Sequence, residues 1–349
     1  MNDADSSLQK LIVIGGPTAV GKTTVGVALA KALDGEVISA DSVQLFAGFR
    51  IGAATPSMEE REGVPHHLLE VMPPDAKVSA ADFAKLADEA IADVVGRGKV
   101  PILVGGSGLY VRALIYGLVD APPRDDALRQ EYETFADTHG DQALWEKLRD
   151  MDPETAAGLH ANDRIRVIRA LEVRELTGQS FRDAQRAHGF QAPRYDVAGI
   201  GLTARRAYIH ERINLRAQIM FREGLLSEVQ QLLADGAPRD AQPFTAIGYR
   251  ETLAWIDALS ELPADAETQP DISTLEAQVA TNTRNFARRQ LVWFRKEPSF
   301  RWFDAEKLDK ELPHIRDGAR AFLAGKGWTA GNPSEREVSD TVQPSRVKA

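Results

Sequence analysis

The stretch Gly16-Pro-Thr-Ala-Val-Gly-Lys-Thr23 constrains this 349-residue chain more than any other part of it. It has the spacing G-x-x-x-x-G-K-T, follows an apolar run at residues 11–14 and precedes a helix-like segment at residues 24–33. In such a loop, glycines let backbone N–H groups converge on phosphate oxygens at the positive end of the following helix. A glycine-rich turn without a ligand is the alternative, but the flanking segments favour a phosphate-binding loop.

The positions of this loop have separate expected roles. The lysine should reach terminal phosphate oxygens, and the last hydroxyl should bind Mg²⁺. The motif predicts a phosphate or pyrophosphate ligand and does not specify ATP. The predicted pyrophosphate-binding residues are Gly16, Pro17, Thr18, Ala19, Val20, Gly21, Lys22 and Thr23, with Thr23 also at the metal.

Strand-like and helix-like segments alternate over roughly the first hundred residues. Strands are predicted at residues 11–14, 36–40 and 100–104, and helices at residues 25–33, 80–95 and 109–115. This alternation is typical of an open α/β sheet, so we predict a P-loop NTPase-like parallel sheet flanked by helices. Ligands of such sheets lie at the carboxyl ends of the strands.

The composition changes near residue 121 to charged, helix-forming sequence without a strand-like run. We predict an inserted all-helical domain there, after which residues 195–203 return the chain to the sheet. Residues 262–271 form a polar, turn-rich connection. The predicted parts are a first core segment at residues 8–121, the helical insertion at 122–194, a second core segment with C-terminal helices at 195–328 and a disordered tail at 329–349.

Composition limits the class of protein. The chain has a net charge of −9 and no cysteine, and its longest apolar runs are strand-sized. A bilayer span needs about 20 apolar residues, so we expect no membrane segment and a cytoplasmic location. The acidic balance argues against indiscriminate coating of nucleic acid, although net charge says little about local basic patches.

Two polar loops are expected at the same edge of the sheet as the phosphate-binding loop. Asp41 follows a predicted strand, where an acid commonly serves a metal or acts as a base beside phosphates. It could instead cap the next helix. Gln44, three residues on, carries an amide that suits the edge of an adenine. Ser107, in the turn Gly105-Gly-Ser-Gly108, either directs its hydroxyl into the same cleft or simply begins a helix.

Two other features need interpretation. His66 and His67 lack an acidic or cysteine partner at ligand spacing, so we interpret them as structural. In residues 279–295, three arginines fall on one helix face, while Val279, Phe286 and Trp293 fall on the opposite face and should pack. A charged face is usually only solvated, but several arginine clusters in an acidic protein favour a phosphate-rich macromolecule. The three arginines are Arg284, Arg288 and Arg295.

Taken together, eight motifs resemble those of the tRNA dimethylallyltransferase (isopentenyltransferase) family. The similarity runs in order from about residue 10 to residue 303. One departure is Ser107, where many members have threonine. The motifs are GPTAVGKTT, ISADSVQLF, IGAATPS, PHHLLE, PILVGGSGLY, RIRVIRALEV, AIGYRE and TRNFARRQLVWFR.

The resemblance implies transfer of a dimethylallyl group from its pyrophosphate to the N6 amine of the adenosine immediately 3′ of the anticodon in certain tRNAs. It implies Mg²⁺ as cofactor, with Asp41 as general base and Lys22 and Ser107 as further catalytic residues. The insertion would contact the anticodon stem-loop. The residues that the resemblance assigns to tRNA are Asp41, Ser42, Val43, Gln44, Ser107, Arg129, Arg166, Arg169, Gly248, Tyr249, Arg250, Arg284, Arg288 and Arg295.

Three other functions compete with this one. An adenylate isopentenyltransferase would prenylate free nucleotides, but it would not need the arginines of the insertion. A P-loop small-molecule kinase would turn over ATP and would leave the DSVQ segment without a role. A non-catalytic RNA-binding protein is disfavoured by an acid placed opposite Lys22. We expect a monomer that binds tRNA and dimethylallyl pyrophosphate.

Overall fold

The computed structural model describes residues 8–119, 121–189, 192–261 and 271–328. The predicted tail at residues 329–349 and most of the predicted connection, residues 262–270, lie outside this part of the chain. Among the described residues, no helix is both long enough and apolar enough to cross a bilayer.

Six parallel strands form one sheet in the order β3-β2-β4-β1-β5-β6. The open parallel sheet predicted from the alternating pattern is therefore confirmed. The two strands that the sequence did not reveal are β3, which has two residues, and β6, whose apolar residues are interrupted by an arginine. The strands are β1 (Lys10–Gly15), β2 (Gly35–Ala40), β3 (His66–His67), β4 (Val100–Gly105), β5 (Asp196–Thr203) and β6 (Phe300–Asp304).

Helices connect and cover the strands. The predicted helices at residues 25–33, 80–95 and 109–115 are each present, longer by one to three residues at one or both ends. They are α1 (Lys22–Leu33), α2 (Met58–Arg61), α3 (Ala80–Gly96), α4 (Gly108–Tyr116), α5 (Asp126–His139), α6 (Asp141–Met151), α7 (Pro153–Ala156), α8 (Arg164–Thr177), α9 (Phe181–His188), α10 (Arg206–Arg222), α11 (Leu225–Ala234), α12 (Tyr249–Ser260), α13 (Ile272–Phe294) and α14 (Leu308–Leu323). Short 3₁₀ helices lie at Gln242–Thr245 and Ala305–Lys307.

The central strands are apolar along nearly their whole length because helices cover both faces of the sheet. In β1, all residues from Leu11 to Gly15 are buried, and β4 has the same pattern from Pro101 onward. Each fully buried aliphatic side chain contributes roughly 1.5–3 kcal/mol relative to an exposed one. This rigid sheet fixes the strand ends from which the polar loops emerge.

The chain divides into two compact units. The described residues up to 115 and from 194 onward form the first unit, which contains the sheet, and residues 116–193 form the second. The second unit is helical throughout its regular structure, from α5 to α9. Its own core is built from side chains that include Tyr132, Leu144 and Leu148. The helical sequence predicted at residues 122–194 thus covers nearly the same range as this unit.

Candidate active site

The phosphate-binding loop connects β1 to α1, as the motif predicts. Gly21, the residue before α1, has φ 98°, a left-handed conformation that glycine adopts without strain. The Lys22 ammonium donates hydrogen bonds to the carbonyl oxygens of Gly16 at 3.1 Å and Pro17 at 2.8 Å. The lysine therefore lies folded over the loop, next to the space where an anion would be held.

Two cations and one acid converge beside this loop. Burial, aided by repulsion from Arg216, lowers the pKa of Lys22 to about 8, and Asp41 acts in the opposite direction. Burial also lowers the pKa of Arg216, against the favourable field of Asp41. Two partly desolvated cations, only partly compensated by the carboxylates of Asp41 and Glu60, favour binding of an anion.

Asp41 directly follows β2, and its two carboxylate oxygens differ in surroundings. Oδ1 accepts hydrogen bonds from the backbone N–H groups of Val43 at 2.9 Å and Gln44 at 3.3 Å. Oδ2 makes no hydrogen bond with any residue that the structure describes. Asp41 therefore caps no helix, because residues 42–45 form a turn, which its Oδ1 stabilises. The other oxygen is left available for a proton.

Ser107 links the turn at residues 105–108 to the loop that follows β2. Its Oγ accepts a hydrogen bond from the Ser42 N–H at 3.1 Å, and its own N–H donates to the carbonyl of Ala40 at 3.2 Å. Because the hydroxyl is an acceptor in the first contact, its hydrogen remains available to a ligand. The structure thus places Ser107 beside the Asp41 loop, at the shared edge of the sheet.

A cavity of about 340 Å³ opens among these loops, α10 and α13. Its polar lining includes Thr18, Asp41, Ser42, Ser107 and Arg216, and its apolar lining includes Ile213, Ala217, Met220, Val279 and Phe286. A cavity with phosphate-binding groups, one carboxylate and an apolar wall suits a substrate that joins a pyrophosphate to a hydrocarbon.

Gln44 is engaged in hydrogen bonds within the protein. Its Oε1 accepts a hydrogen bond from the Ser39 hydroxyl at 2.8 Å, and its Nε2 donates to the carbonyls of Ala53 and Ala54, both at 3.1 Å. Unlike Ser42 and Val43, Gln44 does not line the cavity. Its amide therefore supports the loop that contains Ala53, and the hydrogen bonds use both N–H groups and one of the two lone pairs of Oε1.

Gly248 and Tyr249 are both buried. The Tyr249 hydroxyl donates to Glu228 Oε1 at 2.6 Å and accepts from the Ala53 N–H at 3.2 Å. Tyr249 is wholly buried, and its hydroxyl holds Ala53, which lines the cavity. Of the three predicted residues in this segment, only Arg250 lines the cavity.

The predicted arginines of the second unit differ in environment. Arg129 and Arg169 both pair with Glu172, which is fully buried, at 3.0 and 2.6 Å. Burial would raise the pKa of Glu172, but hydrogen bonds from these arginines and from the Asp125 N–H outweigh it and lower the pKa. Arg166 is exposed, and its one ion pair with a residue in the described ranges is with Asp163 at 3.3 Å. Arg166 is thus available to a partner, whereas Arg129 and Arg169 also have a structural role.

The faces of α13 differ from the prediction at one position. Val279 is buried as expected, but Phe286 is 36% exposed and lines the cavity. The buried face is instead formed by Leu275, Val279, Ala280, Ala287, Gln290 and Phe294. Phe286 lies at the edge of this face, because one side of the helix borders the core and the adjacent side borders the cavity.

The three arginines predicted to lie on one face of α13 and at its C-terminal end differ in their environments. Arg284 donates to Asn214 Oδ1 at 2.5 Å and to the Thr281 hydroxyl at 2.8 Å. Arg288 and Arg295 are exposed. Arg288 forms no ion pair with any residue in the described part of the chain. The exposed arginine face was therefore predicted correctly, apart from the partial engagement of Arg284.

Sequence reasoning missed three residues of the site. Arg216, on the helix after β5, was not among the residues predicted for the site, although its Nη1 lies 3.5 Å from the Thr18 hydroxyl. Arg289 lines the cavity and lies 5.7 Å from the Phe286 ring centroid. Gln290 accepts a hydrogen bond from the Thr18 N–H at 2.8 Å. No sequence pattern pointed to Gln290, because its partners are distant in the chain.

The histidine pair is structural, as interpreted. His67 Nε2 lies 2.6 Å from Glu36 Oε2, and Arg97 binds the same oxygen at 2.6 Å. His67 therefore does have an acidic partner, one that the spacing in the sequence concealed. In the described part of the chain, no group of three or more histidine, cysteine or acidic side chains is arranged to hold a metal ion.

Comparisons with known proteins agree with this geometry. A family model described as IPP transferase matches residues 44–297. A tRNA dimethylallyltransferase of Geobacillus thermodenitrificans is 43% identical over 91% of this chain and 97% of its own length. A tRNA dimethylallyltransferase of Geobacter sulfurreducens is 42% identical over 87% of this chain and 94% of its own length.

Solved structures show the same similarity. The full-length tRNA isopentenylpyrophosphate transferase of Bacillus halodurans superposes with a TM-score of 0.64 at 41% identity, covering 91% of this chain and 96% of that one. A eukaryotic dimethylallyltransferase acting on tRNA gives a TM-score of 0.75 at 25% identity, covering 93% of this chain and 82% of that one. The sequence motifs, the phosphate-binding cavity and these similarities lead to one conclusion: the chain belongs to the IPP transferase family.

Proposed function

We propose that this protein is a tRNA dimethylallyltransferase. It transfers a dimethylallyl group from dimethylallyl pyrophosphate to the N6 amine of the adenosine immediately 3′ of the anticodon. The products are N6-(dimethylallyl)adenosine and pyrophosphate. The observation that carries the proposal is the convergence of the phosphate-binding loop and Asp41 on one cavity that also has an apolar wall.

The first requirement of the reaction is to stabilise the leaving group. Breaking the allylic C–O bond builds positive charge on carbon and negative charge on the departing pyrophosphate. Backbone N–H groups of the loop, together with the neighbouring cations Lys22 and Arg216, would stabilise that negative charge. Because these cations are partly desolvated, their interaction with the leaving group is stronger than it would be in water.

The second requirement of the reaction is to activate the acceptor amine. Its lone pair is delocalised into the purine, so removal of its proton as the C–N bond forms assists the reaction. Asp41 Oδ2 accepts this proton while Oδ1 keeps its two backbone hydrogen bonds. Ser107, whose hydroxyl hydrogen is available, donates a hydrogen bond close to the acceptor.

The residues present fit a magnesium ion held largely by the substrate. Mg²⁺ usually keeps several waters and binds through one or two protein oxygens together with substrate phosphates. Thr23, at the start of α1, offers one such hydroxyl. When bound, the ion would neutralise charge on the pyrophosphate oxygens.

The exposed arginines supply the surface for tRNA. Arg166 of α8, Arg250 of α12 and Arg288 of α13 have exposed guanidinium groups that can bind RNA phosphates. The target base must leave its stack to enter the cavity, as in other enzymes that modify bases. The enzyme acts as a monomer in the cytoplasm, where its tRNA substrate is found.

A transfer assay tests the proposal. The purified protein is incubated with Mg²⁺, radiolabelled dimethylallyl pyrophosphate and either unmodified tRNA or AMP. Label in the tRNA and none in AMP is the expected result. Label on AMP alone would indicate a free-nucleotide prenyltransferase, and ATP consumption without any transfer would indicate a kinase.

A further inference from the structure

Gln290 on α13 is a buried side chain whose amide binds two different loops of the cavity. Its Oε1 accepts a hydrogen bond from the Thr18 N–H at 2.8 Å, and its Nε2 donates to the Gly106 carbonyl at 3.0 Å. The residue is only 6% exposed. An amide with both ends satisfied by backbone groups of separate loops holds those loops at one spacing.

The packing around this amide leaves little freedom. A Cβ built on Gly106 would lie 2.3 Å from Gln290 Nε2, so a glycine is needed for the two groups to approach. One turn further along α13, Trp293 lies 2.3 Å from the position of a Cβ on Gly108. The glycines of this turn therefore allow a close approach of α13, and a shift of the amide would break its hydrogen bonds to the two loops.

The contacts continue from Gly106 to the acceptor side of the cavity. Ser107 follows Gly106 directly, and its Oγ binds the N–H of Ser42 at 3.1 Å. Ser42 is the neighbour of Asp41, the proposed base. One side chain on α13 thus connects the loop that holds the leaving group with the loop that holds the acceptor.

The hydrogen bond to Gln290 also limits which backbone N–H groups of the phosphate-binding loop can face a ligand. The Thr18 N–H is bound to Gln290, so it is not among the groups that face the pyrophosphate in this arrangement. The loop is consequently fixed by the protein before a ligand arrives. Such preorganisation matters because a misplacement of about 1 Å between reacting groups can cost about 100-fold in rate.

We propose that Gln290 is a positioning residue that sets the distance between the pyrophosphate loop and the Asp41 and Ser107 loops. This inference rests on the proposed function, because the distance matters only if both substrates react in this cavity. Gln290 itself touches neither reacting atom; it acts through the Thr18 and Gly106 peptides.

Two variants disturb the contact from opposite sides. Gln290→Met keeps the length of the side chain and removes both hydrogen bonds, while Gly106→Ala places a methyl group where the amide lies. The expected result is a fall in kcat of about 10- to 100-fold for each. The dissociation constants for tRNA and for inorganic pyrophosphate, measured separately at equilibrium, should each change less than about threefold. The double variant should be little worse than either single one, because both changes break one interaction.

Leu275→Ala is the matched control, since Leu275 is buried on the same helix but touches neither loop contact. It should lower Tm at least as much as Gln290→Met while keeping kcat near that of the wild type, when assayed below both transitions. A kcat within twofold of the wild type for Gln290→Met would overturn the inference, as would an equal loss of kcat in Leu275→Ala. Failure of the wild-type protein itself to transfer the group would overturn the proposed function as well.

Discussion

Asp41 combines a structural and a chemical role, because its two oxygens have different partners. Oδ1 caps the turn after β2, whereas Oδ2 remains without a hydrogen bond among the described residues. Two substitutions separate these roles. Asn keeps an oxygen that can cap the turn but cannot take a proton, and Ala removes both.

If Asp41 is the base, Asp41→Asn and Asp41→Ala should both slow the chemical step, by about 10²- to 10⁴-fold. Single-turnover kinetics at saturating tRNA measures this step, and the affinity for tRNA should remain nearly unchanged. A near-normal rate in the Asn variant, with a slow Ala variant, would show that only the turn matters.

The lowered pKa of Lys22 predicts that binding of the pyrophosphate substrate depends on pH. The pKa of this lysine is lowered to about 8, so the free protein loses this positive charge as the pH rises through that value. The pyrophosphate gains affinity from the charged lysine, and its dissociation constant should therefore rise above about pH 8. Titration calorimetry with inorganic pyrophosphate between pH 7 and 9.5 measures the effect. Lys22→Arg should bind with no inflection near pH 8, because arginine does not titrate in this range; the same inflection in that variant would assign it to another group.

At the level of the element, α13 performs three tasks with three faces. One face packs into the core, the second lines the cavity through Val279, Thr283 and Phe286, and the third exposes arginines. The helical period of the sequence alone predicted the arginine face, because the arginines recur at a spacing that places them on one side of a helix. It could not predict that Phe286 borders a cavity, because the distinction between core and cavity depends on neighbours that are distant in sequence.

Arg288 tests the exposed face of α13. Replacing it with Ala should weaken tRNA binding and reduce the slope of log K against log salt by about 1, as expected for the loss of one phosphate contact. Arg316→Ala on α14 is a control at another helical arginine and should leave the slope unchanged. An unaltered slope in Arg288→Ala would mean that this face is only solvated.

The second unit contains arginines of both kinds on α8. Arg169→Ala removes one of two arginine partners of the fully buried Glu172 and should destabilise the protein by about 1–3 kcal/mol. Arg166→Ala, at an exposed position, should leave stability within about 0.5 kcal/mol. Urea unfolding of both variants gives the comparison. Equal stability of the two would contradict the structural role of Arg169, whereas a loss of tRNA affinity in Arg166→Ala alone would identify direct binding.

At the level of the whole molecule, the sequence predicted what is local and missed what is long-range. The loop at residues 16–23, its flanking strand and helix, and the polar residues that end β2 and β4 follow from neighbouring residues. Gln44 and Tyr249 carry groups that suit RNA, yet contacts to Ala53 engage them both. Gln290 reaches Thr18 across 272 positions of the chain, and no local pattern contains that information.

The charge of the molecule is consistent with a selective RNA partner. The chain is acidic overall, at −9, while cations gather beside the cavity and on the exposed faces of single helices. Such a distribution disfavours indiscriminate binding and confines attraction of phosphate to these surfaces. A free nucleotide would need only the cavity, whereas a larger substrate could also contact the exposed arginines outside it.

The most direct test of this account is to locate the transferred group. Unmodified tRNA with an adenosine 3′ of the anticodon is incubated with the protein, Mg²⁺ and radiolabelled dimethylallyl pyrophosphate, then digested with nuclease and separated. The account predicts label on the N6 amine of that one adenosine, and none in a tRNA in which it is replaced by guanosine. Label at other nucleotides, or equal labelling of free AMP, would contradict it.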